Sequence, residues 1–156
     1  MADLTTTVTE TVTINGVSRG STNTKTISGI EHTFERIVTI PADSDTTILV
    51  NKAAVSGADG AVDIQDTKYI RITNLDATNT VNLSLQIDSG NDDSSADESA
   101  TISLAAGHSF IMGTPHDAIA VSDANATINP TMHDLESILV DSADQAVKVE
   151  IFVAGV

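Results

Sequence analysis

Side chains able to do chemistry are few and scattered in this chain. The four histidines, His32, His108, His116 and His133, include no i, i+4 pair, and there is no cysteine to join them in a metal site. His116-Asp117 and His133-Asp134 are adjacent pairs, and neighbours in a strand point to opposite faces. Ser109 follows His108, but the Gly-x-Ser-x-Gly turn that exposes a nucleophilic serine is missing. Glycine-rich phosphate loops are missing too. These residues predict a protein that is not an enzyme and needs no cofactor.

The densest group of ligand-type side chains lies in DSGNDDSSADES, residues 88–99. Asp88, Asn91, Asp92, Asp93, Asp97 and Glu98 offer the oxygen atoms that a hard cation such as calcium prefers. Their spacing does not follow the EF-hand loop. We expect an exposed, solvated acidic loop with no bound metal, and Asp88, Asp92, Asp93, Asp97 and Glu98 are the candidates for a weak cation site. Sugar platforms are usually aromatic, and Tyr69 is the single tyrosine beside three phenylalanines and no tryptophan.

Seven basic against 22 acidic residues leave a net charge of −15. Such a surface repels phosphate backbones and anionic lipid, so neither nucleic acid nor membrane is an expected partner. After Arg71 no Lys or Arg occurs until Lys148, which makes one long stretch purely acidic. The MADLTTTVTE start lacks a basic region followed by an apolar run, and no segment approaches the roughly 18 apolar residues of a membrane helix. The sequence therefore predicts a protein that stays soluble and carries no export signal.

The elements that must carry these residues read as strands. From Lys68 to Ile87 the chain alternates twice around Asp76-Ala77-Thr78-Asn79. Ile70, Ile72, Val81, Leu83, Leu85 and Ile87 fall on one side, and Tyr69, Arg71, Thr73, Asn82, Ser84 and Gln86 on the other. This predicts a β-hairpin whose polar face is solvated or meets another subunit. Residues 4–14 alternate as well and run into Asn15-Gly16, a pair suited to a tight turn. The polar segment 18–29 suits an extended arm or loop. Further strands are expected at His32 to Ile40, stopped by Pro41, at Thr46 to Val50, 100–104, 110–112, Ala118 to Ser122, Ser137 to Val140 and Ala146 to Val153. Many short strands and no convincing amphipathic helix predict an all-β, single β-sandwich or jelly-roll-like domain over 31–156, with an N-terminal strand and extended arm over 1–30. A chain of 156 residues is long enough to bury one core.

Taken together, TTTVTETVTINGVSRGSTNTKTISGI, DTKYIRITNLDATNTVNLSLQI, LAAGHSFIMGTPHDAIAV and the ending AVKVEIFVAGV resemble small virion structural proteins of tailed bacteriophages, marine ones in particular. The resemblance implies a non-enzymatic β-module of the virion, assembled in the host cytoplasm. Its first implied role is a capsid decoration, or cement, protein that binds the major capsid protein and stabilises the outer shell, as a homo-oligomer attached through residues 1–30. The alternatives are a tail-associated or head-fibre protein and, further off, a glycan-binding module.

Overall fold

The computed structural model describes residues 1–55, 60–89, 96, 98–122 and 128–156. Among them there is no helix, and the strands run in the order β1 (Ala2–Thr9), β2 (Thr13–Ile14), β3 (Val17–Ser18), β4 (Thr22–Ile30), β5 (His32–Ile40), β6 (Thr46–Lys52), β7 (Val62–Asp63), β8 (Thr67–Asn74), β9 (Val81–Asp88), β10 (Glu98–Leu104), β11 (Ser109–Met112), β12 (Asp134–Asp141) and β13 (Val147–Gly155). Two sheets of order β10-β9-β12-β6-β7 and β11-β8-β13-β5 face one another. All their pairings are antiparallel except β6 with β7. The expected all-β sandwich is the fold.

Period-two alternation builds its core. Ile70, Ile72, Val149, Ile151 and Val153 from one sheet meet Leu83, Leu85, Leu135, Ile138 and Val140 from the other, all essentially inaccessible. Branched aliphatics fill the layer, as the low aromatic content requires, and interdigitate across facing sheets as sandwich cores do.

The anticipated hairpin over Lys68 to Ile87 is corrected by the pairing. β8 bonds to β13 and β11, whereas β9 bonds to β12 and β10, so the two strands lie in opposite sheets. The connection, residues 75–80, is an arch across the sandwich. Alternation reports which face of a strand is buried but not which strand it pairs with, and both arrangements bury the same isoleucines and leucines. Buried Asn74 holds the arch: its Nδ2 donates to the carbonyls of Asn79 (2.8 Å) and Leu104 (3.1 Å), and its Oδ1 accepts from the Asp76 amide (3.0 Å). Asp76 Oδ1 then accepts from the amides of Thr78 (2.8 Å) and Asn79 (2.7 Å). Those bonds hold the Asp76 carboxyl below its ordinary pKa, the Asn79 amide contributing most and the Thr78 amide next.

Two smaller expectations also change. Ala118 to Ser122 is not a strand; only Ile119 bridges to His133. Asp88 is not in an exposed loop: it closes β9 at 3% exposure, aligned with Asp134 of β12, while half-buried Glu98 opens β10 opposite Ile87.

Candidate functional site

Segment 1–30 forms a two-stranded ribbon. β1 pairs with β4 from Leu4↔Ile27 to Thr9↔Thr22, and β2 with β3 at Thr13↔Ser18 and Ile14↔Val17. These pairs share one register, and the Glu10 amide to Ser21 carbonyl bond (2.8 Å) and the Arg19 amide to Val12 carbonyl bond (2.9 Å) carry it through the middle. Asn15 and Gly16 close the ribbon with φ of 52° and 78°, the positive values that a two-residue type I′ turn requires. At the base, Gly29 is the extra residue between the Ala2↔Ile30 and Asp3↔Ser28 pairs, a bulge whose φ of 83° suits glycine.

The register sorts the ribbon into two unlike faces. One carries Thr5, Thr7 and Thr9 opposite Thr26, Thr24 and Thr22, whose hydroxyls meet across the strands at 3.5, 3.1 and 3.3 Å. The other carries Leu4 and Ile27 at the base and, by the same alternation, Val8, Val12, Ile14 and Val17 farther out. Leu4 and Ile27 pack on a cluster of Ile30, Tyr69 and Ala154 with Phe152 and Val156. Tyr69 and Phe152 stand edge to face with ring centroids 6.1 Å apart. This cluster lies on the outer face of the four-stranded sheet, so Tyr69, expected on a polar face, is 8% exposed beneath the chain's own ribbon. Arg71 on the same face pairs with Glu150 at 2.6 Å.

Past Val8, which still lines a groove with Arg71 and Ile111, the ribbon leaves the body. Val8, Val12, Ile14 and Val17 are between 45% and 55% exposed. Charge follows the same division: residues 1–30 hold Asp3, Glu10, Arg19 and Lys25 and sum to zero, leaving five basic and twenty acidic residues, the whole net charge of −15, on 31–156. A neutral ribbon with a half-exposed apolar face projects from a strongly acidic sandwich.

The structure also gathers three side chains that spacing did not bring together. His116 Nδ1 lies 2.9 Å from Asp134 Oδ1 and its Nε2 lies 3.4 Å from Asp117 Oδ2, and Asp134 Oδ1 also accepts from the Asp117 amide (2.7 Å). Adjacent His116 and Asp117 can turn to the same partner because Asp117 has a φ of 46° and is not extended. The trio ties the segment after β11 to the start of β12 and offers ligand atoms within 4.8 Å of one another. Its His nitrogens and Asp oxygens are of a type that can hold a cation.

The other sequence candidates remain apart. His32 starts β5, His108 sits in the β10–β11 turn with Nδ1 3.0 Å from the Ala106 carbonyl, and His133 bridges to Ile119. Of the proposed cation ligands, Asp88 and Glu98 occupy strand ends, whereas Asn91, Asp92, Asp93 and Asp97 lie outside the described residues. The ribbon was partly visible beforehand, as strand, turn and arm. The missed signal was the mirrored Thr-x-Thr-x-Thr at 5–9 and 22–26, equidistant from Asn15-Gly16.

No protein-family model matches the chain, and no curated protein does. Among solved structures, a chain from Bacillus endospore appendages, described as a novel family of disulfide-linked pili, aligns over 83% of this chain and 94% of its own with a TM-score of 0.37 and 14% identity.

Proposed function

We propose that this chain is a non-enzymatic structural protein of a bacteriophage particle, most specifically a capsid decoration protein that binds the outer shell and stabilises it through its N-terminal ribbon. The observation that carries the reading is the ribbon itself. A two-stranded hairpin is at best marginally stable alone in water, and this one extends a row of half-exposed valine and isoleucine side chains past the surface that supports its base. Such a face suits burial against a partner, and the free strand edges of the ribbon suit β-augmentation. The acidic sandwich supports the same role, since a high net charge keeps displayed domains soluble and apart. Sequence resemblance to phage virion proteins supplies the particle.

The test is co-sedimentation of purified protein with expanded capsids, together with the heat and low-salt stability of particles lacking it. Binding and a loss of particle stability are expected. Protein that stays in the supernatant, with unchanged particles, overturns the reading, and labelling confined to the tail moves the protein to a tail-associated role.

A further inference from the structure

We infer that Asn15 is a site of spontaneous modification, where the ribbon tip closes an imide ring that hydrolyses to isoaspartate or aspartate. The inference goes beyond the assembly reading above and does not rest on it.

The reaction needs the amide nitrogen of the following residue to reach the asparagine Cγ. A side chain on that residue obstructs the approach, and proline has no N–H to give up. Asn15 is the one asparagine of the chain that precedes glycine. Both Asn15 and Gly16 are exposed, a Cβ built on Gly16 would meet nothing within 4 Å, and among the described residues the Gly16 amide donates to no backbone acceptor. Nothing therefore screens the attacking nitrogen. The two buried asparagines differ: Asn74 donates to the Asn79 and Leu104 carbonyls, and Asn51 to the Leu135 carbonyl at 2.6 Å.

Turn geometry decides when the ring can close. Cβ and the Gly16 nitrogen must come near eclipse about the Asn15 Cα–C bond, and the ψ of about +30° at the first central residue of a type I′ turn holds them apart. The closed turn is protected and the opened tip reacts. Opening is local here, because the tip is a separate two-stranded sheet of only two pairs, Thr13↔Ser18 and Ile14↔Val17, with residues 13–18 all exposed. Such a segment opens at low free energy while the core stays closed. In the open tip the Gly16 nitrogen loses its proton and bonds to Asn15 Cγ, and the side-chain nitrogen leaves as ammonia. Water then opens the imide. Cleavage of the original Asn15–Gly16 bond leaves isoaspartate, with the main chain running through Cβ and Cγ, whereas cleavage of the new bond leaves aspartate. Either product adds a negative charge to a ribbon that sums to zero. Isoaspartate also adds one backbone atom to a two-residue turn, so the Ile14↔Val17 register is lost.

To test this, full-length protein is aged in mildly alkaline buffer and the tryptic peptide ending at Arg19 is followed by mass spectrometry with electron-transfer fragmentation. We expect the mass gain of amide-to-acid conversion at Asn15, several-fold ahead of Asn23 in the same exposed ribbon, with isoaspartate exceeding aspartate. Amide protection at Ile14 and Val17 should fall in the aged protein while circular dichroism melting of the sandwich is unchanged. The cysteine-free chain allows a strap, Thr13→Cys/Ser18→Cys, across one cross-strand pair of the tip. Its oxidised form should slow conversion several-fold and its reduced form restore the rate, with thiol titration reporting which form is present. Asn15 that stays intact while a synthetic peptide of residues 10–20 converts, or that converts no faster than Asn23, overturns the inference. Equal rates in the oxidised and reduced strap overturn the tip-opening step.

Discussion

Replacing Tyr69 by alanine should loosen the base of the ribbon while the sandwich stays folded. Tyr69 is 8% exposed, meets Phe152 edge to face at 6.1 Å, and lies under Leu4 and Ile27 on the side of β8 away from the main core. Truncating a large buried aromatic typically costs about 3–5 kcal/mol, of which about 0.5–1.5 kcal/mol belongs to an aromatic pair. The cluster is small and bordered by a ribbon that can settle into the space, so we expect the low end, about 3 kcal/mol, in urea unfolding. Amide exchange separates the two units. Protection should fall first across Leu4 to Val8 and Asn23 to Ile27, with Ile72, Leu83 and Ile151 exchanging near the new global limit. Tyr69→Phe, which keeps the ring, should retain most of the stability. A loss under 1 kcal/mol with unchanged ribbon protection would refute the idea that this cluster anchors the ribbon.

Three further outcomes follow from named contacts. Asn74→Ala removes three hydrogen bonds that pin the arch and should cost about 2–3 kcal/mol in denaturant unfolding. A Cβ added at Gly20 would lie 1.7 Å from the Glu10 carbonyl oxygen, so Gly20→Ala should splay the ribbon at mid-length, lower amide protection across Thr5 to Thr9 and Thr22 to Thr26 in hydrogen exchange, and leave the melting of the sandwich nearly unchanged. The folded-state pKa of Asp76 is lowered from 3.8, so its contribution is full above that unfolded value and is lost as pH falls through the lower folded value; Asp76→Asn should flatten the acid end of a stability–pH curve and leave its neutral slope alone.

Strand existence was legible wherever alternation met a clear stop. His32 to Ile40 was bounded by Pro41 and matches β5 in full, and the run Ala146 to Val153 overlaps β13 from Val147 onward. Pairing was not legible, because side-chain alternation is local whereas the choice of partner is set by the whole core. The two strands either side of Asp76 therefore read as neighbours although they face each other across the sandwich. Asp88 read as a loop residue because of the acidic run after it, but strand β9 continues through it into the sheet. The ribbon was half legible: Asn15-Gly16 announced a turn, while 18–29 lacked the apolar content that marks a strand. A strand whose hydroxyls pair with a partner's and whose apolar face is left half exposed needs no core-forming side chains at every second position. The His116, Asp117 and Asp134 trio depended on one positive φ, which residue spacing does not reveal.

The most direct measurement of the central claim is a symmetry-resolved reconstruction of assembled particles carrying the wild-type protein. Density for residues 1–30 should run from one sandwich onto a neighbouring subunit of the particle, with Val12 and Ile14 buried at the contact. Sandwiches held to the particle by their acidic strands, with the ribbon tip free in solvent, would contradict it.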